Sequence, residues 1–286
     1  MNFLGLSDEE ANFESAKYAV LPVGYERTTT YGHGTANGPK AIIAASQEVE
    51  LYDEELKSEP YLAGVCTVEG FNDCEASSES MIAQVTDKVA DLLDSDKFVI
   101  TLGGEHSISV APVTAYAKRF SNLSILQVDA HADLRQSYLD DKHSHACAMR
   151  RIREVVSSTV GVGIRNMSRE EADVIESERI PTFLAKDIAG KAGWEQDVVD
   201  NLSENVYVTI DLDGFDPSVM PGVGTPEPGG LLWHEALSLF RVVCGSRNVV
   251  GFDVVELMPI PGSLVSEFTA AKLIYKIIGC IQSFRS

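Results

Sequence analysis

Leu123-Ser124-Ile125-Leu126-Gln127-Val128-Asp129-Ala130-His131-Ala132-Asp133 passes from a largely apolar half into a half that holds two carboxylates and an imidazole. Ser124 to Val128 reads as a buried strand, and side chains alternate faces along a strand, so Asp129, His131 and Asp133 are expected to project to one side. Ionisable groups gathered at a strand end are costly unless something charged binds them, and oxygen with imidazole donors suits a divalent cation such as Mn or Zn. The same residues also fit a polar turn in which His131 is hydrogen-bonded and the carboxylates are solvated. This segment alone leaves both readings standing.

Two further segments favour the cation. Val206-Tyr207-Val208-Thr209-Ile210 is β-branched and aromatic and runs into Asp211-Leu212-Asp213, where alternation again puts both aspartates on one face. Phe98-Val99-Ile100-Thr101-Leu102 ends in Gly103-Gly104-Glu105-His106, where the glycines are expected to allow a tight turn that delivers His106 beside the other strand ends. Asp129, Asp133, Asp211 and Asp213 with His106 and His131 make four carboxylates and two imidazoles, more than one small ion needs. Shared carboxylates are how proteins hold two metals roughly 3.5–4 Å apart, so the expectation is a dinuclear hydrolytic site.

Around these segments the pattern is that of an α/β chain with a parallel sheet. Tyr18 to Val23 reads as a short strand, and Gly38-Pro39 opens a helix that continues through Ala41 to Ala45. Met81, Ile82, Val85, Val89, Leu92 and Leu93 recur at helical spacing before the strand at Phe98, and Val110 to Phe120 reads as the helix that returns to Ser124. Successive strands joined by helical crossovers imply parallel pairing, with ligands at the carboxyl ends of the strands. Thr159 to Ile164, Ile180 to Leu184 and Val249 to Val255 are further strand candidates, and Ser168 is a plausible cap for a helix near Glu170 to Glu178. A terminal helix from about Ser266 to Cys280 is expected to bury Phe268, Ala271, Ile274, Tyr275 and Ile278. No repeat or linker interrupts the 286 residues, and one domain is expected over 1–286.

Lys plus Arg is 23 against Asp plus Glu 43, a formal charge of -20, which disfavours nucleic acid and anionic membranes as partners. Five cysteines without a Cys-x-x-Cys pair suggest neither a disulfide framework nor a zinc knuckle, and fit a reducing cytoplasm. The start, Met1 to Asn12, lacks the layout of a signal peptide, and no apolar run approaches the ~20 residues a membrane helix requires.

In order and spacing, Gly103-Gly104-Glu105-His106-Ser107, Asp129-Ala130-His131-Ala132-Asp133 and Asp211-Leu212-Asp213-Gly214-Phe215-Asp216-Pro217 resemble the metal motifs of the arginase/agmatinase superfamily of ureohydrolases. The resemblance continues through Pro221 to Pro226, Gly229-Gly230 and Asp253-Val254-Val255-Glu256. It implies a three-layer α/β/α fold with a central, mainly parallel sheet, and two Mn ions per subunit. Asp129 and Asp211 would bridge them, with His106 and Asp133 on one ion and His131 and Asp213 on the other. It implies that Glu256 pairs with a guanidinium and that His145, in Ser144-His145-Ala146-Cys147, shuttles the proton the leaving amine needs, with His143 a surface neighbour and Cys147 packing. His33 lies outside every metal motif and is read as a loop histidine.

The expected activity is cleavage of a small cationic guanidino substrate to urea and an amine in a cytoplasmic homotrimer or homohexamer. In arginases an asparagine stands two positions after the last aspartate of the second motif; here that position is Arg135, which resembles agmatinases more. Agmatine cleaved to putrescine, a step of polyamine biosynthesis, is therefore the expected reaction. The alternatives are another ureohydrolase (arginase, guanidinobutyrase or formimidoylglutamase-like), a deacetylase-type hydrolase with a single zinc, and a catalytically silent homologue.

Overall fold

Phe98–Gly103 and Leu123–Val128 are buried along their whole length, as strands covered on both faces must be. The computed structural model describes residues 1–284; Arg285 and Ser286, the end of the domain expected over 1–286, lie outside the described residues. Its strands are β1 (Tyr18–Val23), β2 (Val65–Thr67), β3 (Phe98–Gly103), β4 (Leu123–Val128), β5 (Ser158–Ile164), β6 (Thr182–Leu184), β7 (Asn205–Asp211) and β8 (Asn248–Val255). They form one sheet in the order β2-β1-β3-β8-β7-β4-β5-β6, with every neighbouring pair parallel. A parallel sheet needs crossovers, and the helices supply them: α1 (Gly38–Ser46), α2 (Ser78–Asp94), α3 (Val110–Arg119), α4 (Ala148–Ile152), α5 (Arg169–Glu178), α6 (Ala185–Ile188), α7 (Trp194–Asp200), α8 (Trp233–Ser246) and α9 (Val265–Phe284).

The alternation of side chains along the strands sorts the core into two halves. Leu126 and Val128 of β4 pack into the cluster that holds α1, α7, α8 and α9, while Leu123 and Ile125 pack with α2, α3 and α4 on the other face. This is the three-layer α/β/α arrangement with a parallel sheet that the sequence implied. Ser168 caps α5 through a capping box with Glu171.

Two local expectations are corrected. Phe268 is 42% exposed, whereas Ala271, Ile274, Tyr275 and Ile278 are buried. At the start of α9 the covered residues are Ser266, Glu267, Ala270 and Ala271, and the face that Phe268 shares with Ala271 and Tyr275 is not yet covered at the level of Phe268. The strand expected over Ile180 to Leu184 begins at Thr182, because the Ile180 N–H still donates to the Ile175 carbonyl at the end of α5. Among the described residues, no helix is long and apolar enough to cross a membrane.

Candidate metal centre

β3, β8, β7 and β4 are neighbours at the middle of the sheet, and the residues following them meet above their carboxyl ends. His106 opens a 3-10 turn after β3, and Glu256 follows β8. Asp211 ends β7, and Asp213 lies in the 3-10 turn Leu212–Gly214. Asp129, His131 and Asp133 follow β4.

The residues converge as expected, but strand alternation does not deliver them. Asp129 to Asp133 is loop, and Asp133 has a left-handed backbone with φ 52°. That costs energy for a residue with a side chain, and the Arg150 N–H holds it by donating to the Asp133 carbonyl. Gly103 and Gly104 have no left-handed φ either. Glycine is needed at 104 because a Cβ there would lie 1.9 Å from the Tyr25 carbonyl oxygen.

His106 Nδ1 lies 3.2 Å from Asp129 Oδ2, 3.1 Å from Asp133 Oδ2 and 3.4 Å from Asp211 Oδ2, yet it is buried without a hydrogen-bond partner. The opposite nitrogen explains why. His106 Nε2 stands 3.0 Å from Thr209 Oγ1, whose own hydrogen goes to Asp253 Oδ1 at 2.7 Å. Thr209 can therefore only accept from His106, so the proton sits on Nε2 and the Nδ1 lone pair faces three carboxylates. An orphaned lone pair ringed by carboxylate oxygens fits a cation.

His131 Nδ1 lies 2.9 Å from Asp213 Oδ2 and 3.7 Å from Asp129 Oδ1. Two overlapping sets result, His106/Asp129/Asp133 and Asp129/His131/Asp213, each with donor atoms within 4.8 Å of one another and sharing Asp129. Backbone N–H groups fix the remaining oxygens: His131 donates to Asp129, Ala130 to Asp213, and Asp213 to Asp211.

The electrostatics are those of crowded buried charge. Burial pulls the His106 imidazole down, but Asp129, Asp133 and Asp211 outweigh it and hold it well above its usual range, so without a cation a second proton takes the place on Nδ1 that a metal would fill. Burial likewise opposes Asp129 and Asp213 at His131, which they raise to about 12. Burial, Asp213 and Asp129 push Asp211 well above the usual carboxylate range, and burial with Asp129 brings Asp133 to about 7.

Glu256 is buried with φ 65°, and one of its oxygens accepts the His106 N–H at 2.7 Å. It lines a cleft with His131, Asp133, Asp211, Asp213, His145 and Arg135, which the loop Thr29–Gly32 walls. The His145 imidazole, lowered by burial against an opposing pull from Glu105, packs edge-on to Tyr138. Arg135 stacks over Tyr138 at 5.1 Å, with Nε 3.8 Å from Glu171 Oε2.

His33 lies at the loop surface beside Glu26, and Cys147 is buried with its thiol pushed by burial to about 12. His143, expected at the surface, is only partly exposed, and both of its ring nitrogens are enclosed without a partner among the described residues. Sequence reasoning missed Thr28, Glu105, Thr209 and Asp253. Glu105 sits inside a quoted motif, but nothing local shows that its side chain turns away from its neighbour His106.

The description "Arginase family" belongs to a family model that matches residues 16–280. The chain is 40% identical over 280 residues to the N(1)-aminopropylagmatine ureohydrolase of Synechocystis sp., covering 96% of this chain and 92% of that protein. It is 31% identical to the agmatinase of Pyrococcus horikoshii, over 94% of this chain and 93% of that one. The crystal structure of agmatine ureohydrolase of Thermoplasma volcanium superposes with a TM-score of 0.87 at 30% identity, covering 96% of this chain and 94% of that one.

Proposed function

The chain belongs to the arginase family, and on that premise we propose that it hydrolyses the guanidino group of a polyamine precursor at a pair of Mn ions. It is a ureohydrolase of the agmatinase type, acting on guanidino C–N bonds. In this reading His106, Asp129, His131, Asp133, Asp211 and Asp213 would hold the two ions, in and beside the two donor sets that share Asp129. The observation that carries it is the pair of donor sets sharing Asp129, with His106 Nδ1 buried and without a hydrogen-bond partner between the carboxylates.

When bound, the two cations supply an acidified water as nucleophile for a carbon that resonance makes unreactive. The remaining work falls to the chain. Glu256, pinned by the His106 N–H, pairs with the guanidinium and orients its carbon. His145 takes a proton and hands it to the departing amine nitrogen, which leaves poorly unless protonated. The products are urea and the free amine.

The substrate is N(1)-aminopropylagmatine in the first reading, supported by relatives of that name at 40% and 34% identity. Glu227, which accepts a hydrogen bond from Asn166 beside the cleft, offers a carboxylate for the second amine. Agmatine is the second reading, supported by agmatinases at 31% and 33% identity.

The test is Mn-supplemented urea release from N(1)-aminopropylagmatine, agmatine, arginine and 4-guanidinobutyrate, with metal counted per chain. Higher kcat/KM for the aminopropyl compound and two Mn are expected. Preference for agmatine selects the second reading, preference for arginine or the guanidino acid overturns both, and one metal per chain removes the dinuclear site.

A further inference from the structure

Glu105 has no part in the chemistry above, although it is fully buried beside the cleft. Four donors converge on it. Glu105 Oε2 accepts the Arg27 and Thr28 N–H groups at 2.6 Å each, and Oε1 accepts the Ser107 hydroxyl at 2.5 Å and the Thr28 hydroxyl at 2.9 Å. The Thr28 hydroxyl in turn touches His145 twice, accepting its backbone N–H at 2.9 Å and lying 3.1 Å from its Nδ1.

Counting hydrogens fixes the direction of this chain. A threonine hydroxyl has one hydrogen and two lone pairs. Thr28 gives its hydrogen to Glu105, one lone pair takes the His145 backbone N–H, and the other faces Nδ1 at 3.1 Å, a contact that a hydrogen on Nδ1 satisfies; the Ser144 hydroxyl is the more distant neighbour of Nδ1, at 3.4 Å. His145 Nε2 is then the unprotonated nitrogen in the neutral ring, the atom left to serve the cleft that His145 lines. The molecule uses the same construction once more, where Asp253 acts through the Thr209 hydroxyl to set the tautomer of His106.

We propose that Glu105 and Thr28 are positioning residues that hold His145, through the Thr28 hydroxyl, in the orientation and tautomer that leave Nε2 to exchange the proton. This rests on the reading of His145 as the shuttle. The two residues belong to segments 77 positions apart, so the relay also ties the loop around Thr28 to the end of β3.

A double-mutant cycle on the full-length, Mn-loaded protein separates the relay from a loop tether. Urea release from agmatine and N(1)-aminopropylagmatine is measured for Thr28→Val, Thr28→Ser, His145→Ala and Thr28→Val with His145→Ala, alongside metal content and Tm. Thr28→Val should lower kcat roughly 10–100-fold, with KM and bound metal little changed, as loss of a group that orients a functional imidazole does. Thr28→Ser, which restores the hydroxyl, should recover most of that loss. In the His145→Ala background, Thr28→Val should add less than about twofold, because there is no imidazole left to position.

Equal losses in both backgrounds would mean that Thr28 acts on the loop and would overturn the relay. So would a slow His145→Ala enzyme beside an unimpaired Thr28→Val one. His145→Ala at wild-type turnover removes the shuttle reading itself and the relay with it. If Thr28→Val does not fold, Thr28→Ala takes its place in the same cycle and is judged by the same outcomes.

Discussion

Two of the places where the described residues bury clustered charge are built oppositely. Under α9, Lys276 is 3% exposed and its Nζ lies 3.0 Å from Asp53, 2.9 Å from Glu54 and 3.2 Å from Glu55. Lys272 and Arg241 also pair with Glu54 and Glu55, so three cations face three carboxylates and the cluster is closed in charge, with Asp53 and Lys276 its buried members and Glu54 largely exposed. Above β4 and β7, the ion-pair partners of Asp129, Asp133, Asp211 and Asp213 among the described residues are two histidines, with no lysine or arginine. The carboxylates outnumber the positive groups, and His106 Nδ1 is left orphaned. A closed cluster stabilises the fold; an open one needs positive charge from outside, which makes it a binding site.

The comparison breaks most visibly at Asp129, the residue common to both donor sets. Asp129→Ala should lower urea release by roughly 10³-fold or more and reduce metal content. Full activity with two metals retained would reassign the site. At the closed cluster the loss should appear in stability instead. Lys276→Met leaves Asp53 without its cation and should destabilise the protein by about 3 kcal/mol in urea titrations, with kcat of the folded enzyme unchanged.

Glu256→Gln keeps the shape of the open site and removes one charge, and kcat/KM should fall on the order of 10²-fold with both metals in place. Unchanged kinetics would move the guanidinium contact elsewhere. A smaller effect of opposite sign is expected at Asp211, whose carboxyl burial, Asp213 and Asp129 push well above its usual range. Asp211→Asn should inactivate the enzyme yet raise the Tm of metal-stripped protein by about 2–4 °C, since roughly 1 kcal/mol of buried repulsion is relieved. A lower Tm would show that the open cluster is not strained.

The finest distinction is in pH. Burial acts to lower the Lys276 pKa, but Glu54, Asp53 and Glu55 raise it above 10.5. A raised cationic pKa stabilises the folded state below the unfolded pKa and loses that contribution as pH rises through the folded value. The stability gap between wild type and Lys276→Met should therefore be flat from pH 7 to about 10 and narrow above 10.5. A gap that already narrows as pH rises from 7 to 10 would contradict the assignment.

Much of the fold and of the open site was legible in local sequence. The runs before Gly103, Asp129, Asp211 and Glu256 are apolar because strands buried on both faces must be, and the ligand-type residues follow each run directly. What alternation predicted for Asp129, His131 and Asp133 was right in outcome and wrong in cause, because the loop and its left-handed Asp133 aim those side chains. Phe268 failed because helical spacing shows which residues share a face, not where along a helix that face becomes covered.

The sequence by itself determined the apolar strands, the crossover helices and the ligand types, because these follow from spacing of 2 and 3.6 residues and from side-chain chemistry. Only the tertiary structure decided that β8 and β7 lie between β3 and β4, which sets Glu256 against His106 and Asp211 against both. It alone decided that Thr28 reaches Glu105 and His145, and that Lys276 closes on Asp53, 223 residues away. The physical reason is that strand order and long-range hydrogen bonds arise from how crossovers pack on a twisted sheet, and no short window of sequence contains both partners.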